Sequence, residues 1–539
     1  MPKIFVFIIL LFVANFGYSQ SFQDTVAQID KLFSNYKLNQ PGCELAICRN
    51  GVVIYSKAWG TANLEDGVPL TANSILEAGS VSKQFTAAAI LLLAQQGKLS
   101  LDDNIRKYLP EIPNYGESIR IKHLLHHTSG IRDWGAIADI ANWPRSTKTY
   151  SNDDVLDILS RQKALNNKPG AEFIYSNSNY NLLAIIVKRV SGMSLAEFTR
   201  KYIFEPAGMS YTQWRDNFKR IVSNRAVAYD KTDAGYEADM PNETAYGNGG
   251  LLTTAEDLLR WLEYDWAGKF GNPSLLTEQV KVDHLNNGLA NDYGMGLFIS
   301  KREGWDYIFH DGATAGYRAF LSRYPQLKLS FAFLSNVSTM DIAQLHKLED
   351  IFVPERNKAK SIVNEKPSYP MSVAKLKAFA GWYMNGKTGD GQKLTVVNDT
   401  LRTTHFKLKP ISANSFAFGE NRLVFRSKDF LFIPDSKDAT EYIAIKAPAD
   451  TGLDYLRTYA HHYKSTETGS ECSMLVKNNK LIWHRAPCTD IELKPTYLNG
   501  FTSVDGDDSF HFFRGAKGKI TGFKISVNRA RNVEFTRTD

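Results

Sequence analysis

The alternation of apolar and polar positions first becomes regular at Cys43. In CELAICRNGVVIYSKAWG (Cys43–Gly60) two apolar runs flank Asn50-Gly51, and this pattern predicts two antiparallel strands joined by a tight turn. From about Ile75 to Leu262 the spacing becomes mostly helical, with long loops. Within it, SVSKQFTAAAILLLAQQ places Val81, Phe85, Ala88, Ala89 and Leu92 at helical intervals and is apolar nearly all round, which predicts a buried helix. Strand character returns between Trp305 and Asn336, where AFLSRYPQLKLSFAFLSN reads as a second hairpin, and a helix over Asp341–Phe352 follows. Strands at both ends with helices between them predict one antiparallel sheet built from the two ends, flanked by helices, with a helical lobe beside it.

The pattern then changes. PERNKAKSIVNEKPSYP (Pro354–Pro370) is polar with proline at both ends and reads as a linker. Beyond it lie short strands and turns, and the text repeats itself. LKAFAGWY (Leu376–Tyr383) matches LRTYAHHY (Leu456–Tyr463), and LKPISANSF (Leu408–Phe416) matches LKPTYLNGF (Leu493–Phe501). Two blocks recurring in the same order, roughly 80 residues on, predict two small all-β barrel-like domains. The expected organisation is a leader at 1–20, an α/β domain of the α+β type at 21–353, a linker at 354–370, and barrel-like repeats at 371–451 and 452–539.

Composition sharpens this picture at three points. A chain of 539 residues is too long for one core. The net charge of +7 is spread along the chain with no dense basic patch, which argues against a nucleic-acid partner. MPKIFVFIILLFVANFGYSQ has one lysine, an apolar run from Ile4 to Val13 and a small-residue end, the pattern of a cleaved secretory signal. The run is short for a span of about 20 residues, so the expectation is a periplasmic or secreted protein without a stable membrane anchor. Of the four cysteines, Cys43 and Cys48 lie within one strand-like run and cannot pair there, whereas Cys472 and Cys488 flank a hairpin in a compartment that permits a disulfide.

The candidate chemistry begins at Ser80-Val81-Ser82-Lys83. Ser80 and Lys83 are three apart at a helix start, so their side chains share a face. A lysine amine can then take the serine proton, provided that it is neutral, which requires desolvation or nearby positive potential. The motif is weak alone, and Ser372-Val373-Ala374-Lys375 repeats it after the linker. The apolar helix behind Ser80 distinguishes the first from an exposed cap. Tyr175-Ser176-Asn177 is a second element: a tyrosine can relay protons and an asparagine amide can meet a substrate carbonyl. Tyr150-Ser151-Asn152 copies it, but the acidic pair that follows reads as the start of a surface helix. In YIFHDGATAGYRAFLSRYP, His310-Asp311-Gly312 ends an apolar strand, and Gly312 permits close approach of a substrate to backbone N–H groups. Lys387-Thr388-Gly389 lies in a glycine-rich turn of the first repeat and has no counterpart in the second. His123, His126 and His127 in HLLHH have no acidic or cysteine partner nearby, so no metal site is expected.

Ser80-x-x-Lys83, Tyr175-x-Asn177 and His310-x-Gly312, in this order, resemble the three-motif signature of the serine β-lactamase-related hydrolases. These are the class C β-lactamases and D,D-peptidases with their esterase and D-aminopeptidase relatives. IKHLLHHTSGI, PGAEFIYSNSNY, SGMSLAEFTRKYIFEPAGM and GNGGLLTTAEDLLRWL also read like segments of that family, over about Asp30 to Asn336. The resemblance implies a β-lactamase/D,D-peptidase-like fold and a cofactor-independent acyl-transfer enzyme. It implies that Ser80 is the nucleophile, Lys83 its activating partner and Tyr175 the general acid/base. It further implies that Asn177 contacts the substrate amide, that the N–H groups of Ser80 and Ala313 form an oxyanion hole, and that His310 and Gly312 line the site. Penicillin-directed relatives commonly carry Lys-Thr-Gly as the third motif, where the lysine holds a substrate carboxylate. A histidine is mostly neutral at neutral pH, so the expected substrates are small molecules or peptides, D-amino-acid derivatives among them, cleaved at an amide or ester bond. A penicillin-binding carboxypeptidase or β-lactamase and a non-catalytic binder remain as alternatives. Three roles stay open for the tail: shielding the cleft, binding cell-wall material, and self-association into a homo-oligomer.

Overall fold

The turn at Asn50-Gly51 forms as its residues require. Both take positive φ, at 54° and 80°, the backbone that a two-residue hairpin needs and that Asn and Gly tolerate best. It joins strands β1 (Cys43–Arg49) and β2 (Val52–Trp59). The returning part of the chain supplies β3 (Phe298–Arg302), β4 (Trp305–Thr314), β5 (Tyr317–Tyr324) and β6 (Leu329–Ser335). The computed structural model describes residues 22–143, 148–271, 274–356, 368–434, 439–448, 450–487, 489–506 and 508–539. The leader at 1–20, most of the linker and Cys488 therefore lie outside the described residues, and with Cys488 the Cys472–Cys488 pairing.

The chain divides into two compact units. The first comprises the described parts of Met1–Leu92, Met193–Lys281 and Gly294–Ser361, and the second those of Leu93–Gly192, Val282–Tyr293 and Ile362–Asp539. The helices include α1 (Lys83–Gln95), α2 (Asn177–Ser191), α3 (Ala255–Trp266) and α4 (Ile342–Asp350).

In the first unit the sheet order is β3-β4-β5-β6-β1-β2, antiparallel throughout, so β6 and β1 unite the two ends of the unit's sequence. The β6 strand is buried at every position, which accounts for its unbroken LSFAFLS text. One face packs on residues 22–32 and α4, with Ile29, Phe33, Leu45, Phe331, Phe333 and Leu348 in its core. The β3 edge strand was not anticipated. Its Lys301 and Arg302 break the apolar pattern, yet it pairs from Phe298 with Phe309 to Arg302 with Trp305. Asp341 caps α4, its carboxylate accepting from the Ala343 amide at 2.9 Å.

In the second unit, the repeats fold into an eight-stranded antiparallel sheet and a closed eight-stranded barrel. Their shared text has a physical reading. Tyr383 and Tyr463 are both buried, and each hydroxyl donates to the carbonyl four residues earlier, Phe379 at 2.8 Å and Tyr459 at 2.9 Å. Leu408 and Phe416 fill the first core as Leu493 and Phe501 fill the second. Among the described residues no helix is long and apolar enough to cross a membrane.

Candidate functional site

The first unit brings Ser80, Lys83, His310, Gly312 and Ala313 together. Chain entry into α1 is a sharp turn. Gly79 has φ +50°, and Gly79–Ser82 form a 3-10 turn before the α-helix starts at Lys83. In a 3-10 turn residues three apart eclipse one another, and Lys83 Nζ lies 3.0 Å from Ser80 Oγ. Lys83 is fully buried. Its amine also donates to the Asn248 carbonyl at 2.5 Å.

That carbonyl is held in place by the helix itself. Thr86 Oγ1 donates to the Gly247 carbonyl at 2.8 Å, and the Leu251 amide donates to Ser82 Oγ at 3.1 Å. Just before the turn, Glu77 accepts from Arg215 Nε at 2.8 Å and Nη2 at 3.1 Å, both side chains buried. Asn248 was not singled out from sequence. Its contribution is a backbone carbonyl 165 residues away, although the family-like segment GNGGLLTTAEDLLRWL contains it.

The β4 strand runs against this turn. A Cβ on Gly312 would lie 2.2 Å from the Ala78 carbonyl oxygen and 3.1 Å from the Ser80 nitrogen. A Cβ on Gly79 would lie 2.7 Å from the Ala313 nitrogen. Glycine is therefore needed on both sides of the contact, and the Ser80 and Ala313 amides meet there. His310 is 1% exposed, with its ring 5.1 Å from Phe298 and Nδ1–H donating to the Asp311 carbonyl at 2.6 Å.

Burial, and after it the Lys83 charge, push the His310 pKa down to about 3, against the pull of the Asp311 carbonyl. Burial likewise pushes His123 down to about 4. An unfolded histidine takes up its proton near pH 6.5. Below that pH the unfolded chain binds more protons than the native one, so this stability is complete above about pH 6.5 and is lost as pH falls towards 3. The urea midpoint is expected to fall steadily between pH 7 and pH 4, and less steeply in His310→Asn. Equal slopes in the two proteins would contradict the assignment.

The second unit holds Tyr175 and Asn177. His127, at φ +56°, fixes the loop before α2. Its carbonyl accepts from the Ile174 amide at 2.9 Å, and its Nδ1 accepts from the Ser176 amide at 3.2 Å. Its ring lies tilted against that of Tyr175, with centres 4.3 Å apart. Asp133 Oδ2 accepts from the Asn177 amide at 2.6 Å. The remaining histidines of HLLHH are also tied to backbone: His123 accepts from the Arg120 amide and His126 bonds the Tyr293 carbonyl. Among the described residues no cluster of acidic, cysteine and histidine side chains could hold a metal ion.

The sequence decoys have structural roles. Ser372 caps a short helix, Val373–Lys377. Ser151 caps the helix Asn152–Ser160, and Tyr150 is buried. Lys387 pairs with Glu172 at 3.2 Å, and the Gly389 carbonyl accepts from the Tyr497 hydroxyl.

An antiparallel sheet laid against a helix whose first turns carry a serine and a buried lysine is the arrangement that the resemblance to the β-lactamase-related serine hydrolases implies. The chain belongs to the Beta-lactamase family, whose model matches residues 22–350, and membership places it in the serine-hydrolase class. Penicillin-binding protein 4* of Bacillus subtilis (strain 168) is 28% identical over 430 residues, 72% of this chain and 92% of that protein. An octameric penicillin-binding protein homologue from Pyrococcus abyssi superposes with a TM-score of 0.54 at 23% identity, covering 78% of this chain and 99% of its own. A D-amino acid amidase from Ochrobactrum anthropi SV3 superposes with a TM-score of 0.52 at 20% identity, covering 61% and 98%. These two likenesses establish the fold.

Proposed function

We propose that the protein is an exported serine hydrolase that cleaves amide or ester bonds through an acyl-enzyme on Ser80. The observation that carries this reading is the buried Lys83 amine, 3.0 Å from Ser80 Oγ. Lys83 takes the serine proton as Oγ attacks the substrate carbonyl. The Ser80 and Ala313 N–H groups donate to the developing oxyanion, which favours the transition state because they are fixed before charge appears. Tyr175 passes a proton to the leaving group and then draws one from water, which attacks the acyl carbon and releases the acyl group as Lys83 returns its proton to Ser80 Oγ, while Asn177 meets the substrate amide.

The neutral, buried His310 favours amides and esters over penicillin-type substrates, because it offers no fixed charge where that group of relatives carries a lysine. Arg318, eight residues on, is held by its own turn. Its guanidinium donates to the Ala315 and Tyr317 carbonyls, both at 2.7 Å. The amidase named above supports the same class. The second reading, a penicillin-binding carboxypeptidase or β-lactamase, is supported by the similarity to Penicillin-binding protein 4*.

A four-substrate panel separates the two: a D-alanine anilide, a short-chain ester, a D-Ala-D-Ala peptide and a chromogenic cephalosporin. Turnover of the anilide or ester without the cephalosporin is the expected result. Rapid cephalosporin turnover with neither of the first two would overturn it in favour of the second reading.

A further inference from the structure

The last two strands of the closed barrel, Ile520–Val527 and Ala530–Arg537, are joined by Asn528-Arg529. This tip is pinned to the helical segment of the same unit. The Arg529 carbonyl accepts from the Asp133 amide at 3.1 Å and from Asn166 Nδ2 at 3.0 Å. Asn166 Oδ1 accepts from the Arg531 amide at 2.8 Å, and Arg132 Nη2 donates to the Asn532 carbonyl at 3.2 Å. These bonds use the hairpin's backbone, so docking does not depend on the Arg529 side chain.

That side chain goes to Tyr175. Its guanidinium carbon lies 4.9 Å from the centre of the tyrosine ring. Among the described residues no carboxylate or carbonyl accepts a hydrogen bond from it. The neighbouring cations are committed: Arg531 and Lys387 both pair with Glu172, at 3.1 and 3.2 Å. Arg529 therefore presents five N–H donors, half-buried, beside the tyrosine. A planar guanidinium fork matches a carboxylate through two parallel hydrogen bonds. One uncommitted cation suits a monoanion better than a phosphate dianion.

We propose that Arg529 is a specificity-determining residue that reads a carboxylate on the leaving-group side of the substrate. Amides whose leaving amine carries a free carboxylate are then preferred to their neutral analogues. This inference rests on the assignment of Tyr175 to the leaving group.

The test uses the full chain and a matched pair of D-amino-acid dipeptides, one with a free C-terminal carboxylate and one as its methyl amide. Arg529→Gln is expected to lower kcat/KM for the free acid by about 10- to 100-fold, as the loss of a charge-assisted pair implies, and to leave the methyl amide within about twofold. Arg529→Lys should recover part of the loss. Equal losses on both substrates, or none on the free acid, would overturn the proposal. Loss of methyl-amide turnover in Ser80→Ala but not in Arg529→Gln keeps the hydrolase reading separate from this one.

Discussion

Ser80→Ala is expected to lower kcat/KM by about 10⁴-fold or more on every substrate the protein turns over. Removing the nucleophile of a serine hydrolase leaves only what fixed donors and binding contribute. Here Lys83 Nζ lies 3.0 Å from Oγ, and the Asn248 carbonyl keeps that amine in place when Oγ is gone. The turn itself should survive, because Ser82 Oγ and the Glu77–Arg215 pair hold it. Ser372→Ala is the matched control. It removes the other Ser-x-x-Lys serine, whose hydroxyl accepts from the Lys375 amide at 3.3 Å. It should cost about 1 kcal/mol of local stability and no activity. Comparable loss in both variants would contradict the assignment.

Glu467→Ala should destabilise the second unit by about 3–5 kcal/mol. Glu467 and Arg132 form an ion pair with both side chains almost wholly buried. The carboxylate also accepts from the Lys163 amide at 2.9 Å and the Glu534 amide at 3.0 Å. Arg132 donates to Gln162 Oε1 at 3.0 Å and to the Asn532 carbonyl at 3.2 Å. Alanine would leave a buried guanidinium without its counter-charge. The double variant Arg132→Met, Glu467→Leu should recover much of the loss, because neither charge then remains to be buried. Urea unfolding of the full chain checks both. A loss under about 1 kcal/mol in Glu467→Ala would show that water reaches the pair.

Much of this was written locally in the sequence. Asn50-Gly51 fixed a hairpin, and the apolar text of β4 to β6 fixed its partners, because turn chemistry and alternation act within a few residues. The repeats were legible because each core reuses the same leucine, phenylalanine and tyrosine. The serine and lysine stood out because a three-residue spacing at a helix start is itself a contact. What escaped is long-range. The Asn248 carbonyl and the Arg529 guanidinium work through a backbone group or through chain segments far apart in sequence, and no local pattern marks them. The β3 edge strand escaped for another reason: Lys301 faces solvent and Arg302 pairs with Asp350 of α4, so charge falls on both positions and masks the period.

The most direct test of the account is mass spectrometry of the intact protein after exposure to an activated ester that acylates serine. The account predicts one adduct per chain, mapped to the peptide that contains Ser80, and none in Ser80→Ala. An unmodified wild type, or the same adduct on both proteins, would contradict it.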